Sequence, residues 1–138
     1  MPTFLDQEKQ RQVANKDRLF SPEACRDGAF RTGRYPFCLH EDQAGENLHI
    51  ALRDDAITYA RDRGIPWHSG QGGKPSNHLC SSQVACVNTL FPLTRHPAFL
   101  AAVFRPFLPQ IAEILPFTAD GQLPDGQVPH LAFEWIGA

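Results

Sequence analysis

Residues 75–93, PSNHLCSSQVACVNTLFPL, lay a helical apolar repeat over an unusually polar text. Leu79, Gln83, Cys86 and Leu90 fall on one stripe at offsets of four, three and four, and Val84, Val87 and Phe91 repeat the pattern beside it. Ser81 or Ser82 is the expected N-cap, and Pro92 closes the helix. With Gln83 on a buried stripe and Asn88 near the far end, amide groups stand where water is scarce. An unpaired buried amide costs about 1–3 kcal/mol. The segment is therefore predicted to carry a specified polar network that includes Ser76, Asn77 and His78.

Outward from this helix, residues 46–63 read as a second one. Leu48, Leu52, Ala56 and Tyr59 form its stripe, with Ile50, Ile57 and Ala60 alongside, and Gly64 and Pro66 end it. A Gly/Ser-rich loop spans residues 69–77. A third helical region opens at Thr94 with Pro97 in its first turn and a wide apolar face of Phe99, Leu100, Val103, Phe104 and Phe107. Pro106 and Pro109 should divide it before Ile111, Ile114 and Leu115. In residues 130–138, HLAFEWIGA, the alternation of Leu131, Phe133 and Trp135 predicts a strand. A lone strand leaves its backbone unpaired, so it seeks partners in a loop, in another chain or in further sequence. Residues 1–19 are a short polar helix or a frayed arm. Residues 20–41 are a loop that wraps a core, because linkers rarely carry three aromatics such as Phe30, Tyr35 and Phe37.

At 138 residues the chain suits one domain, with residues 1–33 as polar arm and loop and 34–138 as its body. The net charge of −2 gives no global pull toward nucleic acid or anionic lipid, although residues 1–34 hold seven Lys/Arg against five Asp/Glu. No apolar run is long enough for a membrane span, and MPTFLDQEKQRQ has no apolar stretch of a secretory leader. Four cysteines then fit free thiols in a reducing compartment, the cytoplasm.

Three chemistries can be weighed. Cys25, Cys38, His40, His68, His78, Cys80 and Cys86 could supply zinc ligands, yet the tight Cys-x-x-Cys pairs of structural sites are missing, and buried thiols explain them as well. Cys80 or Ser82 near His78 and Asn88 has the parts of a nucleophilic site, against a simpler role as helix cap and loop support. The loop at 69–74 lacks the Gly-Lys-Ser/Thr ending of a phosphate-binding loop. Metal-dependent phosphodiester cleavage needs converging carboxylates and a lysine. The chain has only Lys9, Lys16 and Lys74, none in a Glu-x-Lys arrangement.

The segments YPFCLHEDQAGENLHIALRDDAITYARDRGIPWH (35–68), PSNHLCSSQVACVNTLFPL (75–93) and AFEWIG (132–137) together resemble the N-terminal half of a family in the PD-(D/E)XK, or restriction-endonuclease-like, nuclease superfamily. Ser81-Ser82-Gln83 followed after three residues by Val87-Asn88 is the specific part. The resemblance implies an α+β fold: a helix-rich N-terminal region leading into the first strand, AFEWIG, of a restriction-endonuclease-like sheet that is incomplete here. It also implies that Mg²⁺ binding belongs to later strands, so no catalytic or metal residue carries over to this chain. What transfers is the motif, Ser81, Ser82, Gln83 and Asn88, with His78 beside it, as structural supports or substrate contacts. Glu134 is a candidate accessory acid. The expectation is a nuclease-like protein that is catalytically incomplete alone, meeting DNA through the complete protein and with a partner chain able to complete the sheet. A non-enzymatic interaction module and a small zinc-binding domain are the alternatives.

Overall fold

Helix α1 spans Phe4–Leu19 and starts at a capping box, in which the Thr3 hydroxyl accepts from Asp6 N and the Asp6 carboxylate accepts from Thr3 N. The arm of residues 1–19 is thus a helix, and one buried residue anchors it. Lys16, 4% exposed, donates from Nζ to the carbonyls of Arg26, Pro36 and Cys38 at 3.2, 3.0 and 2.6 Å. The computed structural model describes residues 1–68 and 72–133.

Residues 20–41 do wrap the core, with Ala24, Cys38 and Leu39 fully buried, but they also hold a hairpin that the sequence pattern concealed. Strands β1 (Gly28–Phe30) and β2 (Gly33–Tyr35) pair antiparallel with Phe30 opposite Gly33, leaving Arg31 and Thr32 as the turn. Each strand is three residues and starts with glycine, so period-2 alternation has no length in which to show. A 3-10 turn, Glu41–Asn47, follows.

The helix expected over 46–63 begins later: α2 is Arg53–Asp62. Asn88 explains the delay. Its side chain accepts from His49 N and donates to Asn47 O, both at 2.9 Å, and so occupies backbone groups that a helix would need. The stripe Leu48, Leu52, Ala56 and Tyr59 is buried as expected, but Ile50 is exposed. Helix α3 is Ser82–Leu90, with Ser81 as N-cap to Val84 N. Its core face is Val84, Val87 and the adjoining Phe91, while Cys86 on the other stripe is exposed and Gln83 and Leu90 are half-buried.

A 3-10 turn over Phe91–Arg95 leads to α4, Pro97–Phe104. Only Leu100 and Ala101 of α4 are buried; Phe99 and Phe107 are 66% and 79% exposed, so the wide apolar face points outward. No helix resumes over 105–117, where Pro106, Pro109 and Pro116 remove donors. Arg95 ties the far segments together, reaching Asp55 and Asp125 at 2.7 and 2.6 Å.

The terminal strand is not formed at residues 131–133. There His130 N donates to Thr94 O and Phe133 N to the Tyr59 hydroxyl, so side chain and loop take the donors a ladder would use. Its remainder, with Glu134 and Trp135, lies outside the described residues. Phe133 packs against Tyr59 and Phe91 at ring distances of 5.9 and 6.0 Å, joining a core of Leu48, Leu52, Ala56, Val84, Val87 and Leu123. No helix among the described residues is long and apolar enough to cross a membrane.

Candidate functional site

Four side-chain amides link separate segments of the chain, each spent on backbone. Gln83 Oε1 accepts from His68 N at 2.7 Å, and its Nε2 donates to Pro66 O at 2.9 Å. Asn88 repeats that donor-plus-acceptor clamp on residues 47–49. Asn47 Nδ2 donates to the carbonyls of Ser76 and His78 at 2.7 and 3.0 Å. Asn77 Nδ2 donates to those of Ala29 and Leu39 at 2.9 and 2.8 Å. The polar network foreseen around residues 75–93 exists, and its geometry is that of a brace. Asn47 and the hairpin contact of Asn77 had no signal in the sequence, because both depend on long-range backbone groups.

Next to this brace, residues 37–39 and 77–79 join through an isolated antiparallel bridge, Cys38 opposite His78. Leu39 N donates to Asn77 O at 2.8 Å and Leu79 N to Phe37 O at 3.0 Å. The bridge sets the His78 ring between Phe30 and Phe37, with centroids 4.9 and 5.0 Å away, and Tyr35 stacks on Phe37. Lys9 Nζ lies 4.4 Å from the Phe37 centroid, and the Arg31 guanidinium carbon 5.4 Å from that of Phe30. His78 Nδ1 accepts from Cys80 N at 3.0 Å, which leaves the proton of the neutral ring on Nε2. Burial first, then the charges of Lys9 and Arg31, hold the imidazole below its ordinary pKa, so the neutral ring is favoured.

Lys9, Arg31 and the rings of Phe30 and His78 line a polar cleft of about 360 Å³, together with Ser81, Ser82 and Gln83. Of the motif residues, His78, Ser81, Ser82 and Gln83 meet here, with His68 and Cys80 beside them. Asn88 does not line it, and Glu134 falls outside the described residues. Lys9 and Arg31 were not foreseen, since only the hairpin and the docking of α1 bring them there.

A nucleophilic role for Cys80 gains nothing from the surroundings: burial, then the Glu8 carboxylate, pushes its thiol up from the ordinary value. Burial takes Cys38 to about 11. All four cysteines are free thiols. Among the described residues no three His, Cys, Asp or Glu side chains come together as a metal site. Nor do the carboxylates present fit a Mg²⁺ centre, because each of the best-placed ones is already committed. Glu46 accepts from Ser21 N and Oγ, and Asp55 and Asp125 hold Arg95. Asp120 accepts from the Tyr59 hydroxyl and lies 3.0 Å from Arg63 Nε, off that nitrogen's hydrogen-bond direction.

Glu41 shows what such commitment does. Ala29 N donates to it at 3.1 Å and Arg34 Nη2 at 2.5 Å, and these partners, the Ala29 bond foremost, bring its pKa down to about 2. A carboxylate depressed in the fold stabilises it above the unfolded value of 4.5 and loses that contribution as pH falls to about 2. Stability measured by denaturant titration is expected to fall across this window, and Glu41→Gln to flatten that part of the profile. An unchanged profile in the variant would show that Glu41 does not fasten the hairpin.

Gln83 also borders a second, apolar cleft of about 480 Å³, lined by Ala56, Ile65, Trp67, Cys86, Leu90 and Phe133.

A family model described as Restriction Endonuclease associating with ARP matches residues 7–138. No curated protein and no solved structure matches the chain. Since the match runs from α1 through the amide-braced core to the last residue, the chain belongs to the REase-ARP family of restriction endonucleases associating with ARP.

Proposed function

We propose that the chain serves DNA restriction as the N-terminal portion of a PD-(D/E)XK-type nuclease. The complete fold would hydrolyse phosphodiester bonds with Mg²⁺, and these 138 residues would not do so by themselves. The family match over residues 7–138 carries this proposal. The sequence supports its second half: neither Asp nor Glu stands two positions before Lys9, Lys16 or Lys74, and Lys16 is fully engaged with carbonyls. DNA is the partner proposed for the complete protein.

Supercoiled plasmid incubated with the purified chain and Mg²⁺ is expected to stay uncut, while gel shifts with duplex DNA show salt-sensitive binding. Cutting abolished by a chelator would overturn the catalytic incompleteness. Failure to shift DNA at low salt would overturn the role in restriction. A second reading, a protein-interaction module, is favoured by the outward apolar face of α4, Phe99 and Val103, with Phe107 just beyond the helix, and the family description itself names a partner, ARP.

A further inference from the structure

The geometry points to the polar cleft between α1, the β1–β2 hairpin and the start of α3 as a binding site for a phosphate of a nucleic-acid strand, with Lys9 and Arg31 as its cations. The assignment rests on the DNA reading above and gives it a location.

Arg11, Arg34, Arg61, Arg63 and Arg95 all sit within ion-pair distance of a carboxylate. Lys9 and Arg31 are within ion-pair distance of none among the described residues, as is also true of Arg18, Arg26, Arg53, Lys74 and Arg105, but Lys9 and Arg31 alone of these share one cleft. Glu8, the acid whose charge also reaches Cys80, is held by Arg11 at 2.9 Å. Two unneutralised cations beside half-buried apolar rings attract an anion more strongly than they would in open solvent.

The backbone at Arg31 is strained as well. Arg31 has φ +52°, the one left-handed residue that is not glycine among those described. A hairpin turn at such a position favours glycine, and a side chain there is strained. At this turn the guanidinium lies over Phe30 and lines the cleft. Such a residue suggests a demand beyond folding.

The remaining lining suits a phosphate diester. Ser82 is exposed at the cleft and offers a hydroxyl, and the neutral His78 carries a donor at Nε2. The Phe30 ring lines the cleft under the Arg31 guanidinium, where the sugar or base of a bound strand can lie against it. At about 360 Å³ the cleft has room for one nucleotide unit.

The test uses the 138-residue chain, a fluorescein-labelled single-stranded oligonucleotide of about 20 nucleotides and its duplex, and anisotropy across a salt series. Arg31→Gly is expected to weaken binding by roughly fivefold to tenfold and to reduce the log–log salt slope by about 0.7–0.9, the loss of one phosphate contact. Its melting temperature should equal or exceed wild type, since glycine relieves the turn. Lys9→Gln should lose affinity similarly, and Arg61→Gln, remote on α2, should stay within about twofold. A wild-type chain that binds while both cleft variants bind equally well would overturn the site and leave the DNA reading intact. Binding of inorganic phosphate, seen as amide shifts at Ser82 and His78, without any oligonucleotide binding would overturn the nucleic-acid assignment instead. No binding of either would overturn both.

Discussion

Replacing Lys16 with methionine is expected to destabilise the protein by about 3–5 kcal/mol, a fall of roughly 10–20 °C in melting temperature for a domain of this size. Methionine keeps most of the apolar stem and removes the ammonium. Three carbonyls, from Arg26, Pro36 and Cys38, then lose their shared donor, and the Cys38 carbonyl is buried. Each comes from a different point of the loop that α1 closes over, so the loss is not confined to one turn. Thermal melts followed by circular dichroism measure it directly. A fall below about 3 °C would mean that water replaces the ammonium at little cost, and α1 would then be held by other contacts.

Gly28→Ala is expected to be at least as damaging, about 4 kcal/mol or more, with much of the protein recovered unfolded. A Cβ at this position would lie 1.7 Å from the carbonyl oxygen of Leu39 and 2.8 Å from Asn77 Nδ2. Neither can yield cheaply, because Leu39 is fully buried and Asn77 is the brace between the hairpin and that same carbonyl. Gly45→Ala is the control: the added methyl would meet only Cδ of the flexible Arg53 side chain, at 3.9 Å, and stability should hardly change. Equal stability of the two variants, by denaturant titration, would show that β1 can shift off the 38–39 segment.

What could be read from the residues follows from how local each cause was. Ser81 capping α3 and Pro97 opening α4 act within a few residues, and both are where their side-chain chemistry puts them. The buried stripe from Leu48 to Tyr59 likewise needed only helical spacing. The start of α2 was hidden, because Asn88, far along the chain, takes the backbone of 47–49. The same holds for the buried face of α3, where the sequence predicts the stripe with Gln83 inside and the neighbours of Val84 and Val87 bury the adjacent one instead. The cleft followed in part. His78, Ser81, Ser82 and Gln83 stood close in sequence, whereas Lys9 and Arg31 arrive through a helix docked by Lys16 and a turn between two three-residue strands.

The outward face of α4 bears on how all these stabilities can be measured. Phe99 and Phe107 stand in solvent next to Val103 and Leu108, a surface that environment-sensitive dyes occupy on intact protein. Dye fluorescence in this chain therefore starts high before any melting, and a bright signal at room temperature is not a sign of a loosened state. Optical signals from the peptide backbone follow unfolding without that background.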